Sequence, residues 1–213
     1  MIYKNQRQVL VDTLSMKGIH DISVLKAVGE VERHQFVPAA MKHFAYNDVA
    51  LPIGYGQTIS QPYTVAFMTQ ELKLKPGNKI LELGTGSGYQ AAILERMGMD
   101  VFSIERNYDI LLETQKLFDK LGVRVRTKCG DGTIGWSEYA PYDGIIVTAG
   151  SPSVPPSLKK QLARQGKLVI PVGDKNSQTL KILTKLEEEN FKEEDVPQFK
   201  FVPLIGREGW NEK

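Results

Sequence analysis

Residues 81–89 read Leu-Glu-Leu-Gly-Thr-Gly-Ser-Gly-Tyr, and no other stretch restricts the fold of this chain as strongly. The glycines Gly84, Gly86 and Gly88 follow an apolar, β-rich run at Lys79–Leu83 and precede a helical pattern over Tyr89–Met97. Between a strand and a helix, glycines let the backbone turn sharply and approach a ligand where a Cβ would collide. The alternation continues downstream. Further apolar runs at Val101–Ile104, Val123–Thr127, Gly144–Val147 and Lys167–Val172 are separated by helical patterns at Tyr108–Leu121 and Ser157–Arg164 and a short turn near Thr133–Tyr139. Strand-helix-strand repetition predicts a doubly wound, mostly parallel α/β sheet covered on both faces.

The two ends of the chain depart from that pattern. Only GDKNSQT separates the run ending at Val172 from the next strand candidate, Leu180–Leu186, which is too short for a crossover helix and forces an antiparallel C-terminal edge. The charged stretch EEENFKEED reads as a solvated face, and Phe199–Leu204 as a last strand. Residues 1–48 read as an N-terminal helical segment. Val9, Leu10, Thr13 and Leu14 share one face; Ile22, Leu25 and Val28 follow a cap at Asp21, and Pro38 closes the second helix. Helices this short must dock on something larger. Residues 49–64 read as a structured loop rather than a strand or helix. Pro62 then opens a helix capped by Ser60 or Gln61, with Val65, Met68, Thr69 and Leu72 on its buried face. One Rossmann-like domain over 1–213 is expected, with the sheet spanning 76–213.

Composition excludes several classes. Lys+Arg 27 against Asp+Glu 25 leaves a formal charge of +2, which argues against a protein that coats nucleic acid. Arg124, Arg126 and Lys128 alternate on one strand and are weak support for RNA binding. No apolar run approaches the length of a membrane span, and the N-terminal residues lack a secretory pattern, so a cytoplasmic protein is expected. The single cysteine, Cys129, and the histidines His20, His34 and His43 lack metal-ligand spacing, so no metal is expected. Trp136 and Trp210 read as packing residues.

The glycine spacing also selects among ligands. A dinucleotide fingerprint calls for glycines at 84, 86 and 89, but position 89 is tyrosine. Glu82 ahead of Gly84, Gly86 and Gly88 gives an E-x-G-x-G-x-G arrangement that resembles motif I of S-adenosylmethionine-dependent methyltransferases. Thr85 and Ser87 fall within it. Glu105, at the end of the second sheet strand and followed by Arg106, could accept hydrogen bonds from both ribose hydroxyls. An NAD enzyme would use an acid in the same place, so Glu105 alone does not decide. Asp131, in Gly130-Asp131-Gly132, could accept from an adenine amine. Each acid alone is more often a solvated strand-end residue, but acids at three successive strands form a coherent cofactor edge.

The acceptor is constrained by what the preceding segment lacks. From Leu51 to Thr64 there is no Asp, Glu, Lys, Arg, His or Cys. A hydroxyl or ammonium acceptor calls for a positioned base, whereas a carboxylate of pKa about 3.5–4 arrives ionised. Ser60 or Thr58 could orient it by donating a hydrogen bond, or both could simply cap the helix after Pro62. The Asn/Asp-Pro-Pro-aromatic motif of base-amine methyltransferases is missing, and Cys129 lacks the Pro-Cys context of cytosine C5 enzymes.

Arg33-His34-Gln35-Phe36-Val37-Pro38, Gly56-Gln57-Thr58-Ile59-Ser60-Gln61-Pro62, the glycine motif, Ser103-Ile104-Glu105-Arg106, Gly130-Asp131-Gly132 and Phe201-Val202-Pro203-Leu204 occur in order. Together they resemble the bacterial protein-L-isoaspartate O-methyltransferase family. The resemblance implies methyl transfer from S-adenosylmethionine, leaving S-adenosylhomocysteine, to the free α-carboxylate of L-isoaspartyl residues in damaged proteins. The ester then recloses to a succinimide, whose hydrolysis returns some normal aspartate. It implies Ser60 as the active-site hydroxyl, with Thr58, Ile59 and Gln61 lining a substrate groove. It also implies a partner list of damaged proteins and peptides, without nucleic acid or membrane, and a monomer is expected. An RNA or small-molecule methyltransferase, or a non-catalytic cofactor-binding module, would retain the glycine loop. The first would need a basic, aromatic-lined surface; the second would have no use for a base-free, hydroxyl-bearing loop.

Overall fold

Apolar residues alternate along the central strands, and each alternate set builds a different layer. Ile80, Val101, Ile146, Val169 and Ile182 pack into one cluster. Their neighbours Leu81, Phe102, Ile145, Leu168 and Leu183 pack into another. The computed structural model describes residues 2–211. Helices α1 (Ile2–Met16), α2 (Ile22–Glu30) and α3 (Pro62–Glu71) precede the sheet, with the short strands β1 (Leu51–Gly54) and β2 (Gln57–Ile59) between α2 and α3. Then come β3 (Lys79–Leu83), α4 (Tyr89–Arg96), β4 (Asp100–Glu105), α5 (Tyr108–Leu121), β5 (Arg126–Cys129) and β6 (Tyr142–Val147). The chain continues through α6 (Pro156–Gln161), β7 (Leu162–Gly173), β8 (Gln178–Glu187) and β9 (Asn190–Phe199).

The main sheet has seven strands in the order β5-β4-β3-β6-β7-β8-β9. Strands β3 to β7 pair in parallel, while β8 and β9 are antiparallel. This is the expected doubly wound sheet with an antiparallel C-terminal edge. The first cluster lies under α1–α4 and receives Phe118 of α5; the second receives Leu158 of α6, with Trp136 and Tyr139 packed against it. The chain leaves β3 toward β4 on one side and returns at β6 on the other, so the switch point of the sheet lies between β3 and β6. Among the described residues no helix is long and apolar enough to cross a membrane.

Several expected boundaries are corrected. The stretch 49–64 is not all loop: Leu51 pairs with Ile59 and Pro52 with Thr58 in a two-stranded hairpin. Val9 is exposed, and the buried stripe of α1 runs through Leu10 and Leu14. In α2 it runs through Val24, Ala27 and Val28 and leaves Ile22 in solvent, although Asp21 does cap the helix. Pro38 opens a 3-10 turn over Ala39–Phe44 instead of closing α2. The third sheet strand starts at Arg126, because Val123 and Val125 pack against the core before the ladder with Phe102 begins. The helix expected to reach Arg164 ends at Gln161, where Leu162 enters β7. The charged stretch runs through the β8–β9 turn into β9, an edge strand on which Lys192, Glu193, Glu194 and Asp195 are exposed. Phe201 lies beyond that strand, and Pro203 instead bridges to Gly150.

Candidate active site

Where β3 ends, the backbone needs three unusual φ angles in five residues. Gly84, Gly86 and Gly88 have φ of 93°, 50° and 85°, a region that side chains with a Cβ rarely adopt. At Gly84 a Cβ would lie 2.5 Å from Thr148 Oγ1. That hydroxyl donates to the carbonyls of Leu83 and Gly84, at 2.9 and 2.8 Å, and so ties the turn to the end of β6. Gly88 packs against Phe118 and Thr114 of α5, where a Cβ would overlap the ring. The three glycines therefore have different partners: Gly84 faces Thr148 at the end of β6, Gly88 faces α5, and Gly86 lies at ordinary contact distance from Ile53 of the hairpin.

Glu105 ends β4 with both carboxylate oxygens in use. One accepts from Gly86 N–H and the other from Asn107 N–H, each at 2.9 Å. The Gly86 bond holds the turn against β4. Beneath it, Thr85 Oγ1 lies 2.6 Å from Ser103 Oγ, and Ser103 in turn donates to Glu82. Glu82 is fully buried, and its other oxygen has no hydrogen-bond partner among the described residues. Burial pushes its carboxyl up to about 8, against the Ser103 bond and with help from the nearby Glu105 charge, so it is protonated at neutral pH. Glu82 thus braces the turn from below and does not line the cavity.

A cavity of about 280 Å³ opens beyond the carboxyl ends of β3, β4 and β6. Gly84, Thr85, Gly86 and Ser87 form one wall, with Glu105, Arg106 and Asn107 beside them. Thr148 and Ala149 form the floor at β6, and Gly132 and Leu204 close the far side. Tyr55, Thr58, Ile59 and Ser60 come from the β1–β2 hairpin and its exit. Among the described residues, Glu105 is the only carboxylate in this lining, which contains no His, Lys, Asp or Cys. Tyr89 also lines it, and the buried Tyr89 hydroxyl has no hydrogen-bond partner among the described residues. A backbone-walled recess with a carboxylate at one side and apolar Ile104 and Leu204 fits a nucleoside-bearing sulfonium cofactor.

The structure does not bring every expected residue to this recess. Asp131 lies in a neighbouring surface depression with Arg106 and Gly130. One of its oxygens accepts from Thr133 N–H and Oγ1, at 2.8 and 2.7 Å, and the other from Arg207 N–H at 2.7 Å. Burial raises its pKa, but those bonds and the Arg106 charge outweigh burial and hold it below the usual range. Through these bonds Asp131 fastens the C-terminal segment. Gly88 is likewise outside the lining. Gln61 lies in an adjoining depression, and its side chain donates to Asp48 O at 3.0 Å and Asp48 Oδ2 at 3.2 Å.

Neither proposed side-chain cap holds α3. Gln61 occupies the cap position without a side-chain bond. Asp48 takes over from outside the expected loop, accepting from Tyr63 N–H at 2.8 Å. The hairpin exit is held by Arg33, a fully buried guanidinium. It donates to Ala45 O at 2.5 Å, Val49 O at 3.1 Å and Ser60 O at 3.0 Å. Sequence reasoning missed Thr148 and Asn107, although both follow carboxyl ends of strands, where ligand-facing residues concentrate. It also missed Tyr55, Leu204 and Ile205, which only tertiary folding brings to the cavity. Among the described residues, no cluster of His, Cys, Asp and Glu could hold a metal ion.

A family model described as protein-L-isoaspartate(D-aspartate) O-methyltransferase (PCMT) matches residues 5–209. A protein-L-isoaspartate O-methyltransferase from Chlorobium phaeobacteroides (strain BS1) is 51% identical over 213 residues, covering 100% of this chain and 96% of the relative. One from Cytophaga hutchinsonii is 48% identical over 212 residues, with the same coverage of 100% and 96%. A solved structure named protein-L-isoaspartate O-methyltransferase superposes with a TM-score of 0.88 at 29% identity, over 95% of this chain and 67% of that one. A Plasmodium falciparum structure, described as a beta-aspartate methyltransferase (PCMT) in complex with S-adenosyl-L-homocysteine, gives a TM-score of 0.81 at 25% identity, covering 93% and 98%.

Proposed function

The chain belongs to the protein-L-isoaspartate(D-aspartate) O-methyltransferase family, and on that premise we propose how its own residues esterify the free α-carboxylate of L-isoaspartyl residues in damaged proteins. The methylated residue can then reclose to a succinimide and return in part to aspartate. S-adenosylmethionine, when bound, supplies an electrophilic methyl group. Gly84–Ser87 and Glu105 hold it: the turn offers a backbone wall without side chains in the way, and Glu105 offers the lone pairs left free by Gly86 and Asn107. Arg106 and Gly132 complete that side. Asp131 acts one step back, by fastening the segment that carries Leu204.

One observation carries the acceptor side. Thr58, Ser60, Thr148 and Val202 line both the cavity and a second depression next to it, so the two spaces meet at Ser60. An isoaspartyl side branch lying in the depression reaches the cavity past that hydroxyl, which donates to the carboxylate and aims it. No proton has to be removed, because the acceptor arrives ionised. This suits a lining whose one carboxylate is tied to two backbone N–H groups. The remaining demands are alignment and exclusion of water. Arg33 supports alignment by fixing the Ser60 carbonyl, and Ile59, buried in the core behind it, keeps the strand in place.

The deciding measurement is methyl transfer from labelled S-adenosylmethionine to two peptides that differ only in one isoaspartyl linkage. Base-labile label on the isoaspartyl peptide alone is expected. Equal labelling of both, or label that survives base, removes the assignment.

A further inference from the structure

The second depression, about 320 Å³ in volume, has a lopsided charge. Of the residues lining it, Lys200 alone carries a formal charge; Gln61, Tyr63, Phe199 and Phe201 are neutral. Two ionic groups stand behind the wall formed by Gln61 and Tyr63, and they cancel: Lys17 Nζ lies 2.6 Å from Asp48 Oδ2 and 5.9 Å from the centre of the Tyr63 ring. Lys200 is exposed and makes no ion pair among the described residues. Its backbone is nevertheless fixed on both sides. Phe199 pairs with Gln178 in the β8–β9 ladder, and Phe201 N–H donates to Gln178 Oε1 at 2.8 Å. One residue further, Val202 O accepts from Gly150 N–H at 2.7 Å. The charge therefore stands at a set place on the rim, on a side chain free to reach inward.

We infer that Lys200 is a specificity-determining residue that favours isoaspartyl sites flanked by aspartate or glutamate. The inference rests on the proposed function, because it takes the depression as the seat of the peptide around the acceptor. The acceptor carboxylate itself must lie in the cavity beyond Ser60. What remains over the depression is the neighbouring chain, and the unbalanced cation there meets that chain's side chains. A solvent-exposed pair of this kind changes binding only a few-fold, and salt screens it. Reversing the charge turns that attraction into a similar repulsion, so the ratio between acid-flanked and base-flanked peptides should move about tenfold.

The test uses three isoaspartyl peptides, identical except for flanking Asp, Ala or Lys, with the intact enzyme and its K200M, K200E and K200R variants. The wild type is expected to methylate the Asp-flanked peptide with a several-fold higher kcat/KM than the Lys-flanked one, through KM and not kcat. K200R keeps this preference, K200M removes it, K200E inverts it, and high salt flattens all four enzymes toward one ratio. An acid-to-base ratio that is the same in wild type, K200M and K200E overturns the inference and leaves the methylation reading intact. Failure of the wild type to label even the Ala-flanked peptide instead overturns the methylation reading, and this inference with it.

Discussion

At the residue scale, the site separates into groups that hold the cofactor and groups that aim the acceptor, and substitutions should separate the same way. Ser60→Ala removes one donor at the junction of cavity and depression. It is expected to lower kcat about 10- to 100-fold while the cofactor Kd, read by calorimetry, stays nearly unchanged. Glu105→Ala strips the acceptor from Gly86 N–H and Asn107 N–H and should weaken cofactor binding by about 1–3 kcal/mol. If Ser60→Ala abolished cofactor binding and left turnover per bound cofactor intact, the two roles would be reversed. Much of this division was legible in the sequence. The spacing of Gly84, Gly86 and Gly88, and the hydroxyls of a segment without ionisable side chains, are local facts. Glu82 and Asp131 were not legible as bracing groups, because a motif records that an acid is present but not which way it faces. Glu82 points into the sheet toward Ser103, and Asp131 is engaged by residues 133 and 207, the second from a distant part of the chain.

At the scale of elements, α3 carries the lesson. Pro62 correctly marked its first turn, but its cap comes from Asp48, fifteen positions upstream of the amide it accepts from. Capping rules look one to three residues away, and only the β1–β2 hairpin, by folding back, delivers Asp48 to that place. Asp48→Ala should destabilise the protein by about 1–2 kcal/mol, seen as a lower Tm, and Asp48→Asn should recover part of the loss by keeping an acceptor for Tyr63 N–H. Equal Tm values for wild type and Asp48→Ala would show that the cap contributes nothing. The strands were read well where both faces are buried, as in β3, β4 and β6, and poorly at β9. There one residue type after another is charged, since an edge strand needs only one packed face and its outer groups are free to be ionic.

At the scale of the whole molecule, the buried Glu82 couples folding to pH. Its carboxyl titrates at about 8 in the native state against an ordinary 4.5 in the unfolded chain. Between those values the native state binds the extra proton, so this group's contribution to stability is fully present below pH 4.5 and declines as pH rises toward 8. The slope reaches at most about 1.4 kcal/mol per pH unit. Urea unfolding at several pH values should therefore show wild type losing stability, relative to Glu82→Gln, between pH 5 and about 8 and levelling off above that. Parallel stability curves for the two proteins would mean that Glu82 ionises normally in the native state.

The walls of the recess come from opposite halves of the sequence, with Tyr55 and Ser60 supplied early and Leu204 and Ile205 supplied late. A chain still emerging from the ribosome has its glycine turn long before it has the lining segment that Asp131 and Gly150 hold in place. Repair capacity is thus withheld from the nascent protein until residues 204 and 205 have been made and have folded back to the recess.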